Sequence, residues 1–481
     1  MLKRFFGKDD KATTAKIAIW YAFSNIFVRG LAFITTPIFT RLLSKAEYGS
    51  FSNFTSWEGI LAVIVTLDYT ASIARAKYDY DERMHEYLSS ILVVSNLVTL
   101  AAYLIVEWNR GFFENLFSMD ILYIRALFLY ILFLPAFNYL QAKHRIYRKY
   151  RFFVAFAVSS ALLRTGVAVL LVVLMQNKLL GRVLGFVVPT AIMNLCLEIY
   201  ILVKGKTVDW SCVKYASIIS IPLIPHAISG IVLGSSDRIM ITHYIGAEAN
   251  ALYTLAYQVS LLANLLWTSM NQAWAPWLYD NIHANHFNAI RKNSKIYLGV
   301  FSALILGVLL ITPELMLILG GRSYYEARYV MPPVVMGCVF QFVYGMYVNL
   351  EIYDKKTLLI SIGTVSAALL NIGLNAVFIP KYGYTAAAYT TLVGYAALFV
   401  FHYLIVKVKV KPLSGIYDRR FIFAILFVMM LCCGLALLLY RVEAVRYVLI
   451  VIYAFLFGAF AIKKREQIAR LLGMKRKRVS E

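Results

Sequence analysis

Apolar blocks about 20 residues long recur along nearly the whole of this chain, and that is the length at which an α-helix crosses a hydrocarbon core about 30 Å thick. Lipid offers no hydrogen-bond partner to a bare backbone, so blocks of this length cross as helices. Composition agrees. The 481 residues are 61% hydrophobic and 15% charged, whereas soluble domains run at about 45–50% apolar and 25% charged. The chain therefore reads as an all-α, polytopic membrane protein with about 14 transmembrane helices. The first seven are expected at Ala15 to Thr40, Ser50 to Ala74, Leu88 to Val106, Ile121 to Ala142, Phe152 to Met175, Val183 to Val203 and Tyr215 to His243. The second seven are expected at Ala251 to Trp277, Ser294 to Gly320, Val330 to Leu350, Thr357 to Ile379, Tyr384 to Val406, Phe421 to Tyr440 and Val445 to Ile462.

Orientation follows from Lys and Arg, which collect beside the cytoplasmic ends of spans. With both termini cytoplasmic, roughly 34 of the 48 basic residues lie inside and about 10 outside. An odd number of spans would scramble that alternation. The formal charge of +23 thus reports topology, and no solvated basic domain with a nucleic-acid motif accompanies it. The basic C-terminal tail can also rest on anionic membrane lipids. The five cysteines form no CxxC pair, so no metal site or disulfide frame is expected. The first block carries Arg29 and lacks a small-residue cleavage site, so it reads as a retained helix rather than a leader.

FTRLLSKAEYGSFSNF after the first span and ITHYIGAEANALYTLA after the seventh are weakly alike and stand at corresponding places. Repeated halves are how many carriers are built, with the substrate site near mid-membrane. The expected partition is residues 1–210 as an N-lobe of helices 1 to 6 and 211–406 as a C-lobe of helices 7 to 12. Residues 407–481 then hold helices 13 and 14 and the basic tail. Even-numbered halves make the repeats parallel.

Four segments in order carry a resemblance: TRLLSKAEYGSFS at Thr40 to Ser52, SSDRIMI at Ser235 to Ile241, YTLAYQ at Tyr253 to Gln258, and LNIGLNAVFIPKYGYTAAAYTTL at Leu370 to Leu392. Together they resemble the Wzx-type polysaccharide flippases, within the multidrug, oligosaccharidyl-lipid and polysaccharide exporters. The resemblance implies a fold like that of the multidrug (MATE) members. It also implies movement of an undecaprenyl-pyrophosphate-linked oligosaccharide unit from the inner to the outer leaflet of a bacterial cytoplasmic (inner) membrane by alternating access. Such a role serves surface polysaccharide (O-antigen, capsule or exopolysaccharide) synthesis. Implied partners are that lipid-linked glycan, membrane lipids, and polysaccharide polymerase and chain-length proteins. No nucleic acid and no cofactor is implied, beyond H⁺ or Na⁺ coupling.

Within this frame the intramembrane arginines Arg29, Arg125, Arg164 and Arg238 are candidates for the substrate site. An arginine at a helix centre is costly unless it is paired or lines a wet cavity, and guanidinium meets phosphate through paired, charge-assisted bonds. Asn25 and Arg29 share a helical face with Thr36 and Thr40, and Ser160 precedes Arg164 by one turn. The alternative for each is a structural ion pair, or for Arg29 also a side chain snorkelling to the interface, and Arg238 beside Asp237 leans toward the ion pair. Sugar contacts are expected from the stripe holding Asn264, Trp267 and Asn271, with interhelical hydrogen bonding as the alternative. Ser361, Thr364, Asn371 and Asn375 form a further stripe that leans toward packing. Candidates for ion coupling are Asp68, Asp237 and Glu58, with pairing to an arginine as the alternative; Glu314 is a further buried acid. His226 reads as a core histidine.

Three other functions compete. A lipid II-type flippase shares the helical plan and the basic cavity, and a cation-exporting drug carrier would favour acidic walls. A membrane glycan polymerase or ligase needs a sizeable outer loop with catalytic groups. Here the longest, Glu107 to Asp120, is only about a dozen residues and contains Glu114 and Asp120 but no evident catalytic cluster.

Overall fold

The computed structural model describes residues 14–463 except 148 and 150, and leaves undescribed the side chains of 14–19, 21–23, 25, 29, 460 and 461. The described residues are helical throughout, without a strand. They form two compact units, Met1–Ala251 and Leu252–Glu481.

The first unit contains α1 (Thr14–Leu42), α2 (Lys45–Val65), α3 (Thr70–Asp79), α4 (Met84–Trp108), α5 (Arg110–Phe117) and α6 (Ile121–Ile146). It continues with α7 (Arg151–Leu174), α8 (Lys178–Gly205), α9 (Trp210–Ser220) and α10 (Ile224–Tyr244). At four of these helices a side chain caps the first amides that the helix leaves unpaired. Ser44 and Glu47 form a reciprocal capping box on α2, and Asp120, Asn177 and Asp209 cap α6, α8 and α9. Helices α7 and α8 approach closely because Gly181 and Gly185 face Leu171 and Ala168. A Cβ at Gly185 would lie 2.2 Å from the Ala168 backbone. Small residues give helices their contact where hydrophobicity cannot drive association.

The second expected span is not continuous. It breaks between α2 and α3, where Leu67 and Asp68 take positive φ of 60° and 36°. Ser95 and Thr99 of α4 donate to the carbonyls of Thr66 (2.8 Å) and Val65 (3.2 Å), so the break leaves those groups satisfied. The seventh span breaks likewise at Ile221–Leu223, between α9 and α10, where Pro222 and Pro225 remove amide donors. Tyr69 and Ser217 join the lower halves by a 2.9 Å hydroxyl contact. The outer loop expected at Glu107 to Asp120 is largely the helix α5.

The second unit holds most of α11 (Ala247–His283), then α12 (Phe287–Leu310), α13 (Thr312–Gly320), α14 (Met331–Tyr353), α15 (Thr357–Tyr382) and α16 (Thr385–Lys409). It ends with α17 (Arg419–Leu439) and α18 (Glu443–Lys463). The ninth expected span is divided at Ile311, just before Pro313. Gly383, at φ 77°, turns the chain from α15 into α16. The aromatic core stacks Trp274 on Tyr297 at 4.3 Å and Phe301 on Phe342 at 4.0 Å. Buried Arg446 forms a two-pronged pair with Glu314, both bonds 2.6 Å.

Eleven helices among the described residues are long and apolar enough to cross a membrane. Three more long helices, α1, α11 and α18, stand where the first, eighth and fourteenth spans are expected. Helix α11 is diluted by Asn, Gln, Ser and Asp side chains.

Candidate functional site

A cavity of about 240 Å³ opens within the first unit, between α1, α6, α7 and α8. Helix α7 presents Ser160 and Arg164 to it, α6 presents Tyr130, Asn138 and Gln141, α8 presents Thr190 and Asn194, and α1 presents Ser24 and Val28. Helical spacing explains the convergence: Asn138 and Gln141 are three apart on α6, and Thr190 and Asn194 are four apart on α8.

The Arg164 guanidinium lies over the Phe186 ring, 4.7 Å from its centroid, and is the charged group acting on Glu58 of α2. It also meets the Tyr130 hydroxyl, and no salt bridge holds it among the described residues. The side chains of Asn138, Gln141 and Asn194 make no hydrogen bond among those residues. Buried polar groups are ordinarily paired. A guanidinium without a salt-bridge partner and three unbonded amides facing one cavity are therefore suited to an occupant rich in acceptors, such as phosphate and sugar oxygens.

Arg182, near the start of α8, stands just before the expected sixth span. It lies one turn inside the helix, with its guanidinium stacked on Phe39 (3.7 Å) and Phe51 (4.1 Å) rather than on an acid. Arg164 and Arg182 act on one another as like charges. Sequence reasoning missed Arg182, Asn138, Gln141 and Asn194. The polar stripes on α6 and α8 were the available signal for the amides.

The remaining candidates are dispersed. Asn25 and Arg29 lie on α1, and their side chains fall outside the described residues. Arg125 is exposed and held by Glu107, at 2.6 and 3.1 Å, which also pairs with Arg110. Asp68 stands at the α2–α3 break, half-buried beside Thr70. On α10, Asp237 is buried and Arg238 half-buried. In the second unit Asn271 accepts from Asn349 at 2.8 Å. Trp267 packs over Gly345, and Asn264 is half-buried, its carbonyl accepting from Thr268. Asn371 donates to Thr391 at 3.1 Å and Asn375 donates to Asn371 at 3.2 Å, so that stripe bridges α15 and α16. His226 is exposed, not a core residue; it sits at the proline-broken start of α10, where the helix has barely begun. Glu114 and Asp120 bond the first amides of α6 and Glu107 pairs with Arg125 and Arg110, which accounts for all three acids of the Glu107 to Asp120 segment without chemistry. No cluster of metal-binding side chains occurs among the described residues.

The sequence profile of the family described as "Polysaccharide biosynthesis protein" matches residues 14–282, more than half the chain and every residue lining the cavity. The chain belongs to that family. A relative within reach is the Lsg locus protein 1 of Haemophilus influenzae, 23% identical over 370 residues, covering 74% of this chain and 88% of the relative. Among solved structures, a lipid II flippase MurJ in an inward closed conformation matches with TM-score 0.72 at 15% identity, over 94% of this chain and 100% of that one. An inward-facing multidrug resistance MATE family transporter of the MOP superfamily matches with TM-score 0.55 at 14% identity, over 80% and 95%. The family member described here thus has the fold of the MOP transporters, as the residue-level resemblance implied, and its family places it in polysaccharide biosynthesis.

Proposed function

We propose that this protein flips an undecaprenyl-pyrophosphate-linked oligosaccharide unit from the inner to the outer leaflet of a bacterial cytoplasmic membrane, by alternating access and without covalent chemistry. One observation carries the proposal: Arg164, which has no salt-bridge partner among the described residues, shares a cavity with Asn138, Gln141 and Asn194, whose side chains make no hydrogen bond among those residues. In this reading Arg164 meets the diphosphate and the amides meet sugar hydroxyls, with Arg29 as a further cation reaching the substrate. Both termini are cytoplasmic, all fourteen long helices span, and the glycan passes on to polymerase and chain-length partners. Family membership and the shared fold support the transport class, and the guanidinium argues against a carrier of organic cations.

A second reading, transport of lipid II itself, is favoured by the structural likeness to the lipid II flippase, which at 15% identity speaks for the fold alone. One experiment separates the two. A strain lacking its polysaccharide flippase, and a strain depleted of its lipid II flippase, are each given this gene or its Arg164→Ala form, and lipid-linked intermediates are extracted. Clearing of the inner-leaflet polysaccharide intermediate by wild type alone supports the proposal. Rescue of only the second strain would replace it with the lipid II reading.

A further inference from the structure

One turn beyond Asn194 on α8, Glu198 is buried with 8% of its surface exposed. Its Oε1 accepts from Asn96 Nδ2 of α4 at 2.6 Å. The other two atoms of this pair, Glu198 Oε2 and Asn96 Oδ1, are both buried and both lack a partner. Two acceptors stranded on one hydrogen-bonded pair is an unfavourable arrangement for a carboxylate. Turning the amide over does not help, because it breaks the bond already made. A proton on Oε2 turns one of the two stranded acceptors into a donor, which the acid O–H can direct at Asn96 Oδ1 while Asn96 N–H donates to Oε1.

We infer that Glu198 holds a proton in this state and is the proton-coupling group of the first unit. The assignment rests on the transport reading and deepens it by naming the coupling ion. Titratable groups stand on every helix packed against α8: Tyr139, Lys143 and His144 on α6, His85 on α4, Arg164 on α7 and Glu58 on α2. None is hydrogen-bonded or ion-paired to Glu198. Tyr139 is engaged with Ser95, and Lys143 contacts His85. Asn96 is therefore the group that senses the proton. In the cycle, the Oε2–H bond breaks, the proton passes to water admitted through the neighbouring cavity, and the carboxylate loses the ring to Asn96. Reprotonation restores it and closes α4 onto α8. Protonation is thereby tied to the contact between two helices, which is what a coupled carrier needs.

The test uses the full-length protein in vesicles of phosphatidylethanolamine and phosphatidylglycerol. Glu198→Gln is built to fold, because its amide makes both bonds to Asn96 and imitates the protonated acid. Infrared difference spectra between neutral and alkaline pH should show a protonated-carboxyl carbonyl stretch in wild type that is absent from Glu198→Gln. Should the variant fold poorly, Asn96→Ala shifts the same band while keeping the acid. Identical spectra for wild type and variants overturn the proton assignment. Flipping of a fluorescent undecaprenyl-pyrophosphate-linked sugar should accelerate under a proton gradient in wild type and become indifferent to the gradient in Glu198→Gln. An equal response of both proteins overturns the coupling role. If neither moves the probe while the carbonyl band is present, the transport reading fails and coupling falls with it, while the proton assignment stands on the spectrum.

Discussion

Replacing Arg164 by alanine isolates the cavity's cation. Among the described residues this guanidinium has no salt-bridge partner; it lies over the Phe186 ring at 4.7 Å and meets the Tyr130 hydroxyl. The folded protein therefore loses about 0.5–1 kcal/mol for the cation–π contact and about 0.5–1.5 kcal/mol for the hydroxyl, and gains relief from the repulsion with Arg182. Substrate loses more. A diphosphate held by two charge-assisted bonds loses about 1.5–3 kcal/mol for each, so the sum is at least about 3 kcal/mol, or roughly a 100-fold weaker complex. Binding of a short-chain polyprenyl pyrophosphate to purified protein, followed by thermophoresis, should show that loss with only a modest fall in Tm. Arg164→Lys should lie between, because an ammonium keeps the charge without the fork. Glu58→Gln on the Arg164→Ala background controls for the acid left without its cation. If Arg164→Ala binds within threefold of wild type while folded, the cavity is not where the diphosphate sits.

A side chain at Gly49 should abolish accumulation of folded protein, since even a Cβ would lie 1.8 Å from the Ala247 carbonyl oxygen; detergent-solubilised fluorescence size-exclusion profiles of Gly49→Ala report this. Arg446→Met removes both bonds to Glu314, a partly exposed acid that keeps its bond from Tyr447, so the cost falls below the about 3–5 kcal/mol of breaking a fully buried pair. A fall in Tm is expected for it, partly recovered in Arg446→Met with Glu314→Leu. Outside the spans, Asp209 is held below the ordinary carboxylate range by bonds from Ser211 and then from Arg83. A lowered folded value means its contribution is present above the ordinary 3.8 and lost as pH falls through the folded value. The Tm difference between wild type and Asp209→Ala should accordingly persist at neutral pH and close in acid.

Much of this architecture was legible because a bilayer leaves few choices: apolar length set the helices, and basic residues set their expected direction. The quoted family segments also acquire mechanical meanings. The Ser44–Glu47 spacing in TRLLSKAEYGSFS is a capping box. Its Gly49 passes against Ala247, with Asn250 donating to the Gly49 carbonyl at 2.9 Å. Periodicity could not show the break at Asp68, because the hydroxyls that stabilise it sit on another helix. It was also blind to which arginines find acids. Arg125 meets Glu107 and Arg446 meets Glu314 across 18 and 132 residues of chain, a distance no local pattern spans. The amides of the cavity were passed over because each is unremarkable alone, and they acquire meaning only when α6, α7 and α8 bring them round one space.

The broken second span has a mechanical corollary. With hydroxyls from α4 already engaging the carbonyls at Val65 and Thr66, the elbow exists without any partner having to be found elsewhere. Bending about it does not require helix to be unwound or rewound. The Thr70–Asp79 and Trp210–Ser220 pieces, tied by Tyr69 and Ser217, form a paired pedestal that can hold still while the longer pieces above swing, so two separate kinks act as one joint.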